Sequence, residues 1–248
     1  MGSLFSYSLV SGLLLLAMYL IYKWMLAGEK QYSFNRMILW TIYAVALIAP
    51  LAMGELRGLR LSSPEPQMLT PVIEVEEGFA APVVEPEEPF LPILLLRIYA
   101  IGAGAVLALT LATAFRLRAV IRSGRREQIG DYTLVIIPGD GIAPFSWLRY
   151  VVMSEKDYNS SGEVIITHEL RHLESAHWID LMLAQAVCVL QWFNPAAWLM
   201  REELKAVHEY QADEAVITSG ADARSYQMLF AMAQEFVDTF CIRSPLTL

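Results

Sequence analysis

Cysteine is nearly missing from this chain. Cys188 and Cys241 are the only two, and neither stands at CxxC or metal-ligand spacing. No disulfide framework or thiolate metal site is implied, and both read as small buried hydrophobes. Charge is scarce as well: Asp, Glu, Lys and Arg make up 18% of the 248 residues against 56% hydrophobic ones. That balance excludes an ordinary soluble domain and points to a membrane protein. The net charge of -8 carries little meaning, because seven of the 26 acidic residues crowd between Glu65 and Glu88 in one loop and the basic residues border apolar runs. Direct binding to nucleic acid is not expected on that basis. The start of the chain lacks a basic leader and has no small-x-small cleavage site before Lys23. Leu4 to Leu26 is therefore expected to stay as a spanning helix rather than leave as a signal peptide.

Three apolar runs, 4–26, 37–53 and 93–117, are each expected to cross a bilayer, so residues 1–117 read as a membrane domain. Pro50 lies near the end of the second run, where a helix break costs least. Residues 54–92 change character, with seven prolines from Pro64 to Pro92 and seven glutamates from Glu65 to Glu88. A segment of that composition buries too little apolar surface to order itself, and it is expected to be an extended solvated loop. Gly102 and Gly104 in the third run offer a close-packing face. Lys23, Lys30 and Arg36 join the first two runs, and Arg116, Arg118, Arg122, Arg125 and Arg126 follow the third. By the positive-inside rule both clusters belong in the cytoplasm, which puts the N-terminus and the acidic loop outside. Residues 118–248 then form a second domain on the cytoplasmic side.

Within that domain, Tyr132 to Ile137 and Leu148 to Met153 are β-rich runs separated by turn residues, and a small antiparallel sheet is expected. An edge strand there would be able to pair with an extended substrate backbone. Ser160 and Glu163 have capping-box spacing and predict a helix starting just before Val164. Ile179 to Met200 is nearly long enough to span, but Asn194-Pro195 divides it into two helices, with Asn194 as N-cap and Pro195 in the first helical position. Partial embedding in the bilayer around 179–200 is the favoured reading.

The predicted helix carries His168-Glu169-Leu-Arg-His172. One turn apart, His168 and His172 share a face and are able to hold one metal ion. In the H-E-x-x-H arrangement the ion is zinc, and the glutamate, here Glu169, takes a proton from the attacking water. A later helix offers Glu209 as a third ligand, giving a His2Glu site with an open fourth position. Asp213, one turn on, is suited to accept the free ring N–H of a ligating histidine. His208 and Tyr210 project to either side of Glu209, and a packed or hydrogen-bonded role fits His208 better than oxyanion stabilisation. His177, five residues past His172, points off the ligand face and reads as structural or interfacial.

Together HELRH, His177-Trp178-Ile-Asp180, Asn194-Pro195 and Glu209-Tyr-Gln-Ala-Asp213 resemble the integral-membrane zinc metallopeptidases of the BlaR/MecR type, gluzincins whose third ligand is glutamate. The resemblance implies a mainly α membrane protein with three transmembrane helices and a gluzincin-like helical metalloprotease domain. It implies that His168, His172 and Glu209 bind Zn2+, that Glu169 is the catalytic base, and that Asp213 supports the ligands. It also implies a multi-pass protein of the bacterial inner membrane whose cytoplasm-facing site cleaves a protein, in the best-known members a transcriptional repressor or the receptor itself. Those receptors continue into a fourth span and an extracellular penicillin-binding sensor, whereas this sequence reaches Leu248 after one more expected helix, Ala223 to Phe240. A β-lactam response is therefore not carried over. The competing readings are a non-catalytic transmembrane scaffold with a structural zinc and a housekeeping quality-control protease. An intact Glu169 argues against the first, since a structural site has no use for a carboxylate between its ligands.

Overall fold

The computed structural model describes residues 2–26, 28, 31–61, 90–139 and 142–220. Most of the expected Pro/Glu-rich loop (62–89), the expected helix Ala223 to Phe240, Cys241, and Asp140 and Gly141 of the expected turn lie outside the described residues. Three long helices come first: α1 (Gly2–Met25), α2 (Tyr32–Leu61) and α3 (Phe90–Ser123). Each is long and apolar enough to cross a membrane. α2 and α3 run further than composition suggested, taking in 54–61 and 90–92. Pro50 sits inside α2 instead of ending it, because one missing backbone bond does not stop a helix whose ladder continues on both sides.

Four strands follow: β1 (Arg125–Ile129), β2 (Tyr132–Ile137), β3 (Phe145–Trp147) and β4 (Tyr150–Ser154), in the order β1-β2-β4-β3. The expected small sheet is present, but it is mixed and not wholly antiparallel. β2 and β4 are parallel, with Leu134 opposite Val151 and Ile136 opposite Met153, while both outer pairs are antiparallel. The reason is β3, which reverses the chain once more before β4. β1 was not expected, since Arg-Arg-Glu-Gln-Ile has no buried face and is held by its backbone ladder to β2. Strand alternation gives the sheet two apolar faces. Leu134, Ile136, Val151 and Met153 pack with Ile165, Ile166 and Leu173 of the next helix. Val135, Ile137 and Val152 pack with Leu117, Val120 and Ile121 at the end of α3.

The next helix, α4 (Glu155–Glu174), starts earlier than the Ser160/Glu163 spacing predicted. Ser154, at the end of β4, is the cap: its Oγ accepts from Asp157 N at 3.0 Å and donates to the Asp157 carboxylate at 2.8 Å. Ser160-Ser161 marks a kink instead, with Ser161 at φ -147, ψ 27. α5 (His177–Leu190) and α6 (Pro195–Thr218) complete the described chain. Asn194 caps α6, its Oδ1 accepting from Ala196 N at 3.0 Å, and Pro195 takes the first position.

α5 and α6 form a hairpin packed against the long helices, and its core includes Leu15, Tyr22, Leu39, Tyr43, Cys188, Ala197, Met200 and Leu204. Its tip meets the beginnings of α1 and α3. Gln191 donates to Ser8 O at 3.1 Å, Asn194 to Gly12 O at 3.1 Å and Trp192 Nε1 to Tyr99 O at 3.2 Å. Tyr7, near the start of α1, donates to Leu47 O late in α2, so these ends lie together. At the opposite end Lys23 pairs with Glu203 and Arg36 with Asp180. Gly12 and Gly102 permit these approaches: a Cβ on Gly102 would stand 2.3 Å from the Trp192 ring, and one on Gly12 2.9 Å from Gln191 Oε1. Gly104 meets nothing within 4 Å, so only one of the two glycines of α3 serves packing.

Candidate metal centre

The helical period places His168 and His172 one turn apart on α4, and α6 crosses that face with Glu209 and Asp213, likewise one turn apart. His168 Nε2 lies 3.2 Å from His172 Nε2 and 3.4 Å from Glu209 Oε2, and His172 Nε2 lies 3.7 Å from Glu209 Oε1. Among the described residues this is the group of His, Cys, Asp and Glu that converges closely enough to hold a metal ion. A tetrahedral ion about 2.0–2.1 Å from each donor would put the donors about 3.3 Å apart, so the set fits a zinc-sized ion. Glu209 is 48% exposed in its side chain, which leaves the fourth side of the site open.

The far nitrogens decide which nitrogen each ring offers. Asp213 Oδ1 lies 3.3 Å from His168 Nδ1 and accepts its N–H, which frees Nε2 as a ligand. For His172 the partner is His177, at 2.8 Å between the two Nδ1 atoms. Gln211 Nε2 donates to Ser33 Oγ at 3.2 Å, which turns Gln211 Oε1 toward His177 Nε2 at 3.0 Å. His177 must then donate from Nε2 to Gln211 and accept at Nδ1, so His172 carries its proton on Nδ1 and presents a lone pair at Nε2.

His177 is therefore a supporting residue of the centre, and the expectation that it points off the ligand face is corrected. That expectation continued α4 past Ser175. The helix instead ends there, and Ala176 adopts the left-handed region at φ 52, turning His177 back beneath His172. No glycine or asparagine marks the turn, so the sequence carried no signal for it.

Behind His177, its ring stacks on that of His208 at 3.9 Å with the planes 7° apart. His208 Nε2 lies 2.9 Å from Asp180 Oδ2, which also accepts from Arg36 Nε at 2.6 Å. Arg36 donates further to Ser175 O at 2.9 Å, beside the end of α4. His208 is thus packed and hydrogen-bonded, and Tyr210 stacks on Tyr32 at 5.0 Å; neither joins the ligand group.

Glu169 is buried at 7% exposure beside the ligands, and β3 reaches it through a hydrogen bond from Ser146. Burial raises its pKa, with the His168 charge and Ser146 opposing. A carboxylate held in this way takes up a proton more readily than a surface glutamate. His168 is raised to about 9: burial works against the charged ring, but the hydrogen bonds to Asp213 and Glu209 outweigh it. His172 is lowered to about 4, by burial first, with the His168 charge adding and Glu209 opposing. One ring is thus ready as a neutral ligand, and the other gives up a proton to become one.

The site lines a cavity of about 1240 Å³ that runs between α3 and the α5–α6 hairpin. β3 sits on its rim at the edge of the sheet, hydrogen-bonded on one side to β4.

The segment that builds this centre is similar to a peptidase family: the family described as BlaR1 peptidase M56 matches residues 147–230. The match takes in α4, α5 and α6 with the three converging residues and Asp213, and it bears out the resemblance to the BlaR/MecR type. Peptidases of this family are metal-dependent. Among curated proteins, no match is found.

Proposed function

We propose that the protein is an integral-membrane zinc endopeptidase that hydrolyses a peptide bond in a cytoplasmic or membrane-proximal protein. The observation that carries this reading is the convergence of two histidine nitrogens and a carboxylate within 3.7 Å of one another, with buried Glu169 alongside. When bound, zinc supplies Lewis acidity toward the scissile carbonyl and the attacking water. The chain's own residues do the rest. His168, His172 and Glu209 hold the ion. Glu169 takes the proton of the attacking water and passes it to the leaving amine. The free edge of β3 supports pairing with an extended substrate backbone next to Glu169.

The distribution of basic residues supports a placement in the membrane. The site, Lys23, Arg36 and the arginines after Leu117 gather at one end of the helices, which the positive-inside rule assigns to the cytoplasm. The α5–α6 hairpin then enters the bilayer from that side. α5, with 14 residues, rises about 21 Å against a hydrocarbon core of about 30 Å. Exposed Ile179, Leu183 and Leu190 suit lipid contact. A role in transmembrane signalling, through cleavage of a repressor or of the protein itself, fits Arg36, which joins the second span directly to the end of the metal-bearing helix.

The test is zinc content and proteolysis of a co-expressed substrate for the parent and for Glu169→Gln. Zinc retained with cleavage reduced about 10²- to 10⁴-fold is the expected result. Cleavage unchanged in Glu169→Gln overturns the catalytic assignment and favours the scaffold reading.

A further inference from the structure

The cavity extends well beyond the metal centre, and its shape says what kind of substrate it takes. On α3 it is lined from Val106 to Leu117, a run rising about 18 Å, roughly half the depth of a bilayer's hydrocarbon core. Leu107 and Leu111 line it from α3, Leu181, Met182 and Val189 from α5 and Trp198 from α6, and the metal residues line the same cavity. α3 is fixed at its two ends, by Gly102 against Trp192 and by Leu117 and Ile121 against the sheet. Between these it has a polar tie, Gln185 Nε2 to Thr110 Oγ1 at 2.8 Å. Ile121, at the sheet end, is the one buried residue of α3, so among the described residues the flank between the two fixed points is open to the side.

Resting on the peptidase reading above, we propose that the cleft between α3 and the α5–α6 hairpin receives the cytoplasmic end of an apolar, membrane-anchored helix, whose adjoining chain reaches the metal centre. The volume suits it: an α-helix about 10 Å across takes roughly 120 Å³ per residue, so 1240 Å³ accommodates about ten residues. The chemistry of the walls suits it too. A helix satisfies its own backbone and needs no partners from leucine and methionine walls, whereas an extended peptide would leave N–H and C=O groups unpaired there. At the metal end the wall changes from apolar side chains to β3, whose free edge pairs with backbone once the helix unwinds. The cleft therefore selects substrates tethered in the bilayer over freely soluble ones.

The experiment uses the full chain in liposomes of phosphatidylethanolamine and phosphatidylglycerol. The Glu169→Gln form is loaded with zinc so that bound probe is not cut. The probe is a fluorescent Leu–Ala model helix of about 20 residues, long enough to span, carrying a casein-derived tail. Binding is read by energy transfer to a dye at the protein's N-terminus. The expected result is saturable binding of the anchored probe, weakened about tenfold or more by Ala186→Trp, which fills the cleft, and unchanged by Leu95→Trp on the lipid side. Met182→Glu, which places a charge in the same cleft, gives the same loss by a different route. Equal binding with and without the filled cleft overturns the proposal, as does tail peptide without its anchor binding as well as the anchored probe. Hydrolysis of the tail by the parent protein is followed separately: a bound probe that the zinc-loaded parent never cuts sinks the peptidase reading while leaving the cleft assignment standing.

Discussion

His177→Phe isolates the chain of hydrogen bonds behind the metal centre. Phenylalanine keeps a flat ring to stack on His208, 3.9 Å away, but removes the acceptor that His172 Nδ1 meets at 2.8 Å. His172 then either loses a hydrogen bond in a mostly buried site or moves its proton to Nε2, the atom needed as ligand. Leaving a buried donor unmade costs about 1–3 kcal/mol. Loss of a residue supporting a metal ligand weakens affinity about 10- to 100-fold, which converts to about 1.4–2.8 kcal/mol, so the two lines of reasoning agree. The measurement is a competitive zinc titration against a chromophoric chelator in detergent, for the parent, His177→Phe and His177→Gln. Glutamine offers a carbonyl oxygen to His172 and is expected to recover part of the loss. Thermal unfolding of the zinc-free proteins should report the same lost bonds, with Tm lower in His177→Phe by about 2–10 °C although the stack is kept. An affinity for His177→Phe within twofold of the parent would refute the tautomer argument.

Three further outcomes follow from the same geometry. Asp180→Ala strands both Arg36 and His208; with Arg36 still 25% exposed, the cost is discounted to about 2–3 kcal/mol and a fall in Tm of about 5–10 °C, while Arg36→Met with Asp180→Leu should regain the part owed to Arg36 and leave the part owed to His208. A double variant no more stable than Asp180→Ala would contradict this. His168 is charged below about 9, so zinc binding at pH 7.5 should release close to one proton from it, and apparent affinity should climb with pH until about 9; Asp213→Asn lowers that value and reduces the release, as calorimetry in buffers of different ionisation enthalpy would show. A release identical in parent and Asp213→Asn would count against the pairing. Gly102→Leu drives a side chain into the Trp192 ring and should cost about 1–3 kcal/mol, whereas Gly104→Leu, with nothing near it, should be neutral in the same melting assay.

The features legible in the sequence are those that local periodicity decides. The four-residue spacing of His168 with His172 and of Glu209 with Asp213 defines two helix faces, and the structure sets those faces against each other. Asn194-Pro195 is a self-contained helix start, and it is one. Where two local signals compete, the chain's surroundings decide: Ser154/Asp157 and Ser160/Glu163 both have the spacing of a cap, and the end of β4 selects the first. β1 depends on a partner strand rather than on its own side chains, so its polar sequence reads as loop. The role of His177 depends on a left-handed alanine, which residue type does not announce. The cleft is hidden for a different reason: whether Leu107 and Leu111 face lipid, protein or an open space is a property of how α3 leans, not of their spacing.

The polar tip of the α5–α6 hairpin bears on how the protein is made. Gln191 and Asn194 donate to Ser8 O and Gly12 O, Asp180 pairs with Arg36, and Gln185 reaches Thr110, so the hairpin's polar groups find partners on each of the three preceding helices. Outside that company these groups would enter hydrocarbon with their hydrogen-bonding needs unmet, at a cost of several kcal/mol each. The hairpin is thus a poor candidate for independent insertion. Biogenesis of the protein has an order written into it: the first three helices must be seated before the segment that completes the metal centre has anywhere to go.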